Sequence, residues 1–181
     1  MRQQASPEKQ TKSESARNME ARPTQKIVAV GVGNIIHSDD GAGVHALKKL
    51  EHDPRLPADV TLIDGGTHGI ELLAYLHDSS RLLLLDAVDV GECAGTLIRI
   101  DDRDLQGLPC GASVHQLGVA DLLATLPLVS DTPRETVLLG VQPASTDWGT
   151  ELSPAVEAAL GPLVDAAVEQ LVRWCEQAPP T

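Results

Sequence analysis

The sequence predicts a single-domain, three-layer α/β sandwich, with a mostly parallel five-stranded sheet, one antiparallel strand, and helices on both faces. Three observations carry this. Short apolar runs of strand length alternate with helical stretches, the pattern of parallel strands joined by crossover helices. The runs are continuous, as in Ile27-Val28-Ala29-Val30, which suits strands buried on both faces. A chain of 181 residues, 42% of them apolar, points to one domain with a real core.

Residues 1–25 are Gln, Ser, Glu, Lys, Arg and Pro with almost no large apolar groups. They cannot bury enough surface to offset ordering entropy, so a disordered polar tail is expected. Met19 is a candidate start, because the pattern needs nothing before it. The folded domain is expected over 26–178.

Ile27–Val30 is the first strand, closed by the turn Gly31-Val32-Gly33-Asn34. Asp39 or Asp40 can cap a helix running to about Glu51, with Val44, Leu47 and Leu50 on one face. Val60–Ile63 is the second strand, closed by Asp64-Gly65-Gly66-Thr67. Gly69–His77, with Ile70, Leu73, Tyr75 and Leu76, reads as a helix. Leu82–Leu85 is the third strand and ends at Asp86; Thr96–Ile100 is the fourth. Only about nine residues separate those two, and a parallel crossover needs about a dozen, so they should run antiparallel. Gln116–Leu126 is a helix, and Thr136–Val141 a fifth strand stopped by Pro143. The last helix is Ser153–Glu176, with Ser153 as N-cap and Pro154 at the first helical position. There is no internal repeat and no second domain.

Composition narrows the function. Phe is absent and aromatics are 2% of the chain. The core must be Leu, Val, Ile and Ala, and the stacking platforms used for single-stranded nucleic acid are missing. Net charge is −12. Residues 1–26 hold six Lys/Arg against three Glu, which is +3, so residues 27–181 carry −15. Such a body repels nucleic acid and anionic membranes and favours a cationic partner, although acidity also serves plain solubility. Cys93, Cys110 and Cys175 stand far apart with no CxxC, as suits free thiols in a reducing cytoplasm. No stretch is long enough to span a bilayer and no apolar leader is present, so a cytoplasmic location is expected.

Gly31-Val32-Gly33 after the first strand invites a dinucleotide-binding reading, which fails on inspection. The third glycine of G-x-G-x-x-G would fall on Ile36, and the acidic residue about 20 positions on is missing. There is no G-x-x-x-x-G-K-[ST], no G-x-S-x-G and no H-E-x-x-H. What remains is positional, because function in open α/β sheets collects beyond the carboxyl ends of strands. Asp40 lies in the loop after strand one, Asp86 ends strand three after four leucines, and His115 opens the helix leading to strand five. Two carboxylates and an imidazole suit Ni, Zn or Fe, and three protein ligands leave positions open. Plainer readings stand beside this one. Asp40 could be only a helix cap, Asp86 could bond strand-end N–H groups, and His115 could be a surface residue of a first turn. Asp64 holds the same position one strand earlier, where Gly65-Gly66 favours a turn-capping role. His37, His45, His52, His68 and His77 suit surface or boundary positions, with His37 and His68 in loops that could rim a site.

At these residues the sequence resembles a known family. Gly31-Val32-Gly33-Asn34-Ile35-Ile36-His37-Ser38-Asp39-Asp40-Gly41-Ala42-Gly43-Val44 is similar to the first signature of the nickel–iron hydrogenase maturation proteases. Asp64-Gly65-Gly66-Thr67, Asp86-Ala87, His115-Gln116-Leu117-Gly118 and Gly140-Val141-Gln142-Pro143 match later motifs in order. Each is loose alone, but the ordered set is specific and covers about residues 26–176. The resemblance implies an endopeptidase that clips a C-terminal extension from the hydrogenase large-subunit precursor after nickel insertion. It places the metal-binding triad, and the catalytic machinery, on Asp40, Asp86 and His115. The nickel is then carried by the substrate, with no tightly bound metal in the resting enzyme, which acts as a monomer. The first triad position is often Glu in the family, and Asp is one methylene shorter. The tail also departs from the family, which starts almost at the first strand. The rival classes are a non-catalytic, metal-dependent checkpoint that binds the loaded subunit, and a generic metallo-hydrolase.

Overall fold

The computed structural model describes residues 26–76, 78–101, 121–126, 128 and 135–177. The tail 1–25, His77, Cys110, His115 and the stretch 116–120 of the expected helix lie outside the described residues. Five strands form one sheet: β1 (Ile27–Val32), β2 (Val60–Gly66), β3 (Arg81–Ala87), β4 (Leu97–Asp101) and β5 (Glu135–Val141). Their order is β2-β1-β3-β5-β4. All pairs are parallel except β4 with β5.

The continuous apolar runs explain the layers. Alternate side chains of a strand point to opposite faces. Ile27, Ala29, Leu83, Leu85, Val137 and Leu139 pack against helix α1 (Ala42–Glu51) and the C-terminal helix (Pro154–Glu176). Val28, Val30, Leu82, Leu84 and Leu138 face the other way, onto Leu72, Leu76, Leu122 and Leu126. Leu82 to Leu85 are all fully buried, each contributing roughly 1.5–3 kcal/mol relative to exposure. Trp174 is the one buried aromatic. The C-terminal helix starts as its sequence predicts, with Ser153 Oγ accepting from the Val156 N–H at 3.4 Å and Pro154 opening the helix. No helix among the described residues is long and apolar enough to cross a membrane.

Three local expectations need correction. β4 does run antiparallel, but beside β5; β5 lies between it and β3. The connection 88–96 passes over the end of β5, where Val88 N donates to Val141 O (2.9 Å) and Gln142 N to Thr96 O (2.9 Å). The expected helix Gly69–His77 is a 3-10 turn, Ile70–Leu72, and a single α-turn, Leu73–Leu76. Only Leu72 and Leu76 are buried there, and Ser79 takes the Leu76 carbonyl through both its N–H (2.9 Å) and its hydroxyl (2.7 Å). Asp39 and Asp40 lie in a 3-10 turn, Ser38–Gly41, ahead of α1, and no side chain caps that helix.

The chain leaves β1 through α1 on one face to reach β2, then returns through 70–76 on the other face to reach β3. β1 and β3 are neighbours, and from their carboxyl ends the chain departs in opposite directions along the sheet, from β1 towards β2 and from β3 across the end of β5 towards β4. Their carboxyl ends therefore flank a crevice, the point where open α/β sheets bind ligands.

Candidate active site

The glycines of the first signature act by letting backbone approach backbone. A Cβ on Gly43 would stand 2.1 Å from Leu85 O and 2.4 Å from Val32 O. One on Gly31 would meet Gly43 O at 2.5 Å. Gly33 has φ +127°, and a Cβ there would overlap the Asp40 carbonyl. The start of α1 thus sits directly on the ends of β1 and β3, with the Ser38–Gly41 turn drawn over the crevice. Gly31 and Gly33 serve this approach, which is why the third glycine of a dinucleotide motif is not needed.

Asp40 is buried in that turn, and its Oδ2 accepts the Asn34 N–H at 3.0 Å. Asp86 is buried at the end of β3, where its Oδ1 accepts the Ala87 N–H at 2.8 Å. Burial pushes the Asp86 carboxyl well above the usual carboxylate range. The Ala87 hydrogen bond acts against this, and the nearby Asp40 charge adds to it. The structure thus brings two of the three sequence-predicted residues to one crevice. Their plainer readings are met only in part. Asp86 does bond a strand-end N–H, but two like charges buried together are costly unless something compensates them. Oxygen donors of this kind suit a divalent cation.

His115 lies outside the described residues. Among the described residues no three His, Cys, Asp or Glu side chains cluster as a metal cage. Asp64 is exposed and caps its own turn, accepting the Gly66 N–H at 3.1 Å. His37 and His68 do stand in loops at this end of the sheet, bonded to Thr146 O (3.0 Å) and Gly65 O (2.9 Å).

Two residues that the sequence offered only as a helix-cap candidate and a motif member, Asp39 and Gln142, brace the loops at this end of the sheet. Asp39 is fully buried, and its carboxylate accepts three backbone N–H groups, from Ala144 (2.8 Å), Ser145 (3.2 Å) and Ser153 (2.6 Å). It ties the turn that carries Asp40 to the loop after β5. Gln142 is buried at the end of β5 and braces the loop after β3. Its Oε1 accepts from Val90 N (2.9 Å) and Glu92 N (3.2 Å), and its Nε2 donates to Asp89 Oδ1 (2.9 Å). That contact, with the Gly91 N–H, lowers the Asp89 carboxyl below its ordinary value. A polar residue between an apolar strand and Pro143 was the available signal for Gln142. For Asp39 it was the doubled acid of Asp39-Asp40.

Comparison with known proteins converges on one family. The model of the hydrogenase maturation proteases matches residues 44–170. The hydrogenase expression/formation protein HupD of Rhodobacter capsulatus is 36% identical over 160 residues, covering 86% of this chain and 76% of that protein. The hydrogenase 2 maturation protease of Escherichia coli is 35% identical over 148 residues, covering 81% and 90%. The solved structure of the hydrogenase maturating endopeptidase HybD from Escherichia coli superposes with a TM-score of 0.77 at 34% identity, covering 82% of this chain and 93% of that one.

Proposed function

This chain belongs to the hydrogenase maturation protease family and is a peptide hydrolase, and we propose that it removes the C-terminal extension of a nickel–iron hydrogenase large-subunit precursor once nickel is in place. On this reading Asp40, Asp86 and His115 recognise the nickel that the precursor carries. The observation that supports it best is the pair of buried carboxylates at the β1/β3 crevice, two hard oxygen donors held side by side. His115 adds a borderline nitrogen, and three protein donors leave positions for the precursor's own groups. On this reading the metal arrives with the precursor, and the resting enzyme keeps none tightly bound. A substrate metal can polarise a scissile carbonyl, and a carboxylate can take the proton of an attacking water. The enzyme acts as a cytoplasmic monomer.

The test is a cleavage assay on nickel-loaded and nickel-free precursor, read by mass spectrometry of the C-terminus. Wild type should process only the loaded form, and His115→Ala and Asp86→Asn should process neither while remaining folded. Asp40→Glu, which restores the family's commoner residue, should keep partial activity. Equal cleavage of both precursors by wild type would remove metal recognition. Full activity in both His115→Ala and Asp86→Asn would show that the residues are wrongly chosen.

A further inference from the structure

The exposed apolar residues are concentrated at one end of the molecule. Among the described residues eight large hydrophobics are exposed. Six of them stand at the carboxyl end of the parallel strands. Ile35 and Ile36 follow β1, Ile70 follows β2, Val90 follows β3 and Trp148 follows β5. Leu97 opens the antiparallel β4 opposite Val141. These positions lie at the same end of the sheet as Asp40 and Asp86. Exposed apolar residues scattered singly need no explanation, but a collection at one end marks an interaction surface.

Trp148 is the most telling, because it is 78% exposed and yet firmly held. Its ring lies 4.3 Å from that of His37. The two loops are stitched by Ser38 N to Gly149 O (2.8 Å) and Gly149 N to Ile36 O (3.0 Å). A large aromatic ring already fixed in water costs little further entropy on binding, which is how an anchor residue works.

Acids lie at both ends, with Asp59 and Glu176 among those at the amino end, but among the described residues the cations keep away from the crevice end. Asp64, Glu71, Asp89, Glu92, Asp147 and Glu151 are exposed at the crevice end. The cations gather at the opposite end, where Lys26 precedes β1, Arg81 begins β3, and Lys48, Lys49 and Arg173 end their helices. Arg55 lies in the connection from α1 back to β2, and Arg99 is midway along β4. Among the described residues no Lys or Arg stands on the rim. An anionic membrane or nucleic acid is repelled by such a surface, and a cationic polypeptide is drawn to it.

We propose that the crevice rim, anchored by Trp148, docks an apolar segment of the precursor that carries Lys or Arg residues. This rests on the proposed function above and adds the chemistry of the substrate segment. Ile35, Ile36 and Trp148 take the segment's apolar side chains, and the acidic rim pairs with its cations. Docking there lays the bound chain across the crevice of Asp40 and Asp86.

The test measures both equilibrium binding and processing of nickel-loaded precursor, over a range of salt concentrations. Four proteins are compared: wild type, Trp148→Ala, a rim reversal (Glu92→Lys with Glu151→Lys), and a reversal of equal charge at the far end (Asp59→Lys with Glu176→Lys). Trp148→Ala and the rim reversal should each raise KM and Kd about tenfold with kcat unchanged. Salt should weaken binding by wild type and not by the rim reversal, and the far-end reversal should match wild type. Unchanged KM and Kd in both Trp148→Ala and the rim reversal would overturn the proposal. Equal losses in the two reversals would overturn it too, since net charge alone would then explain them. Wild type that self-associates through Trp148 would make the occupant a second copy and overturn it likewise. Wild type that binds precursor with these rim effects, but never cuts it, would sink the endopeptidase reading and leave the docking surface standing.

Discussion

β3 carries a buried ionisable side chain at each end, and the two are treated in opposite ways. Arg81 at the amino end is 2% exposed and lies among groups of opposite charge or partial charge. It pairs with Glu135 at 3.2 Å, donates to the Trp174 carbonyl, and lies over the Trp174 ring at 5.9 Å. Asp86 at the carboxyl end is equally buried, but its polar neighbours among the described residues are the Ala87 N–H and another carboxylate. The Arg81 end is arranged for stability. At the Asp86 end burial raises the carboxyl well above its ordinary range and a second acid adds to the shift, and strongly perturbed buried acids of this kind mark functional sites.

Asp86→Asn breaks this comparison most sharply. The amide keeps the shape and an acceptor for the Ala87 N–H, but removes the ionisable carboxyl from its buried site. Processing of nickel-loaded precursor should fall by at least about 100-fold. Thermal or chemical denaturation should show the variant about 1 kcal/mol more stable than wild type, the expected exchange between stability and function. A variant both inactive and strongly destabilised would mean that Asp86 is structural, like Arg81.

Arg81→Ala is the reciprocal experiment. It strips Glu135 of its partner, frees the Trp174 carbonyl and opens a cavity against the ring, so it should cost about 3 kcal/mol. Protein that remains folded should keep its kcat and KM, because Arg81 lies at the far end of the strand from the crevice. Denaturant unfolding paired with the processing assay checks both halves. A fall in kcat without loss of stability would overturn the division of the strand.

The division was partly legible in the sequence. Leu82 to Leu85 announce a strand buried on both faces, and a carboxylate directly after them cannot be ordinary surface. Ser153-Pro154 announces a helix start that the structure reproduces. What was hidden depends on contacts between distant residues. Asp39 looks locally like a helix cap, but its partners lie 105 to 114 residues away. β4 follows β3 in sequence, and nothing between them tells that β5 will fill the gap. The glycines of the first signature look like a phosphate loop until Gly43 is seen pressed on Leu85 O. His115 was read from order and residue type alone, and that is still what supports it.

Asp39→Asn sharpens the comparison from within the crevice end. Asp39 is a buried charge there whose carboxylate is fully used, so it should behave more like Arg81 than like Asp86. An amide oxygen is a weaker acceptor than a carboxylate and cannot serve three N–H groups equally. The expected cost is about 1–3 kcal/mol in stability. Because the next residue is Asp40, KM for nickel-loaded precursor should rise while nickel-free precursor stays uncut. Unchanged stability in denaturant titrations would show that the three hydrogen bonds are not the brace described.

The smallest effect belongs to the amino end. Arg55 grips Asp53 through Nε (2.9 Å) and Nη2 (2.7 Å) and reaches Asp165 at 2.7 Å. The Arg55 guanidinium, helped by the Arg55 N–H, holds the Asp53 carboxyl down at about 2, against its ordinary 3.8. The folded state therefore keeps this carboxylate charged where the unfolded chain would protonate it. The contribution is present above about pH 4 and fades as pH falls through about 2. Arg55 and Asp165 face solvent, so salt screens the network and its worth is small. Asp53→Asn should thus be slightly less stable than wild type at neutral pH, with the two denaturation curves converging between about pH 4 and 2. Processing at neutral pH should be unchanged. A gap between the two proteins that widens on acidification would show that the ion network does not hold Asp53 as described. A change in kcat would show that the amino end is coupled to the crevice after all.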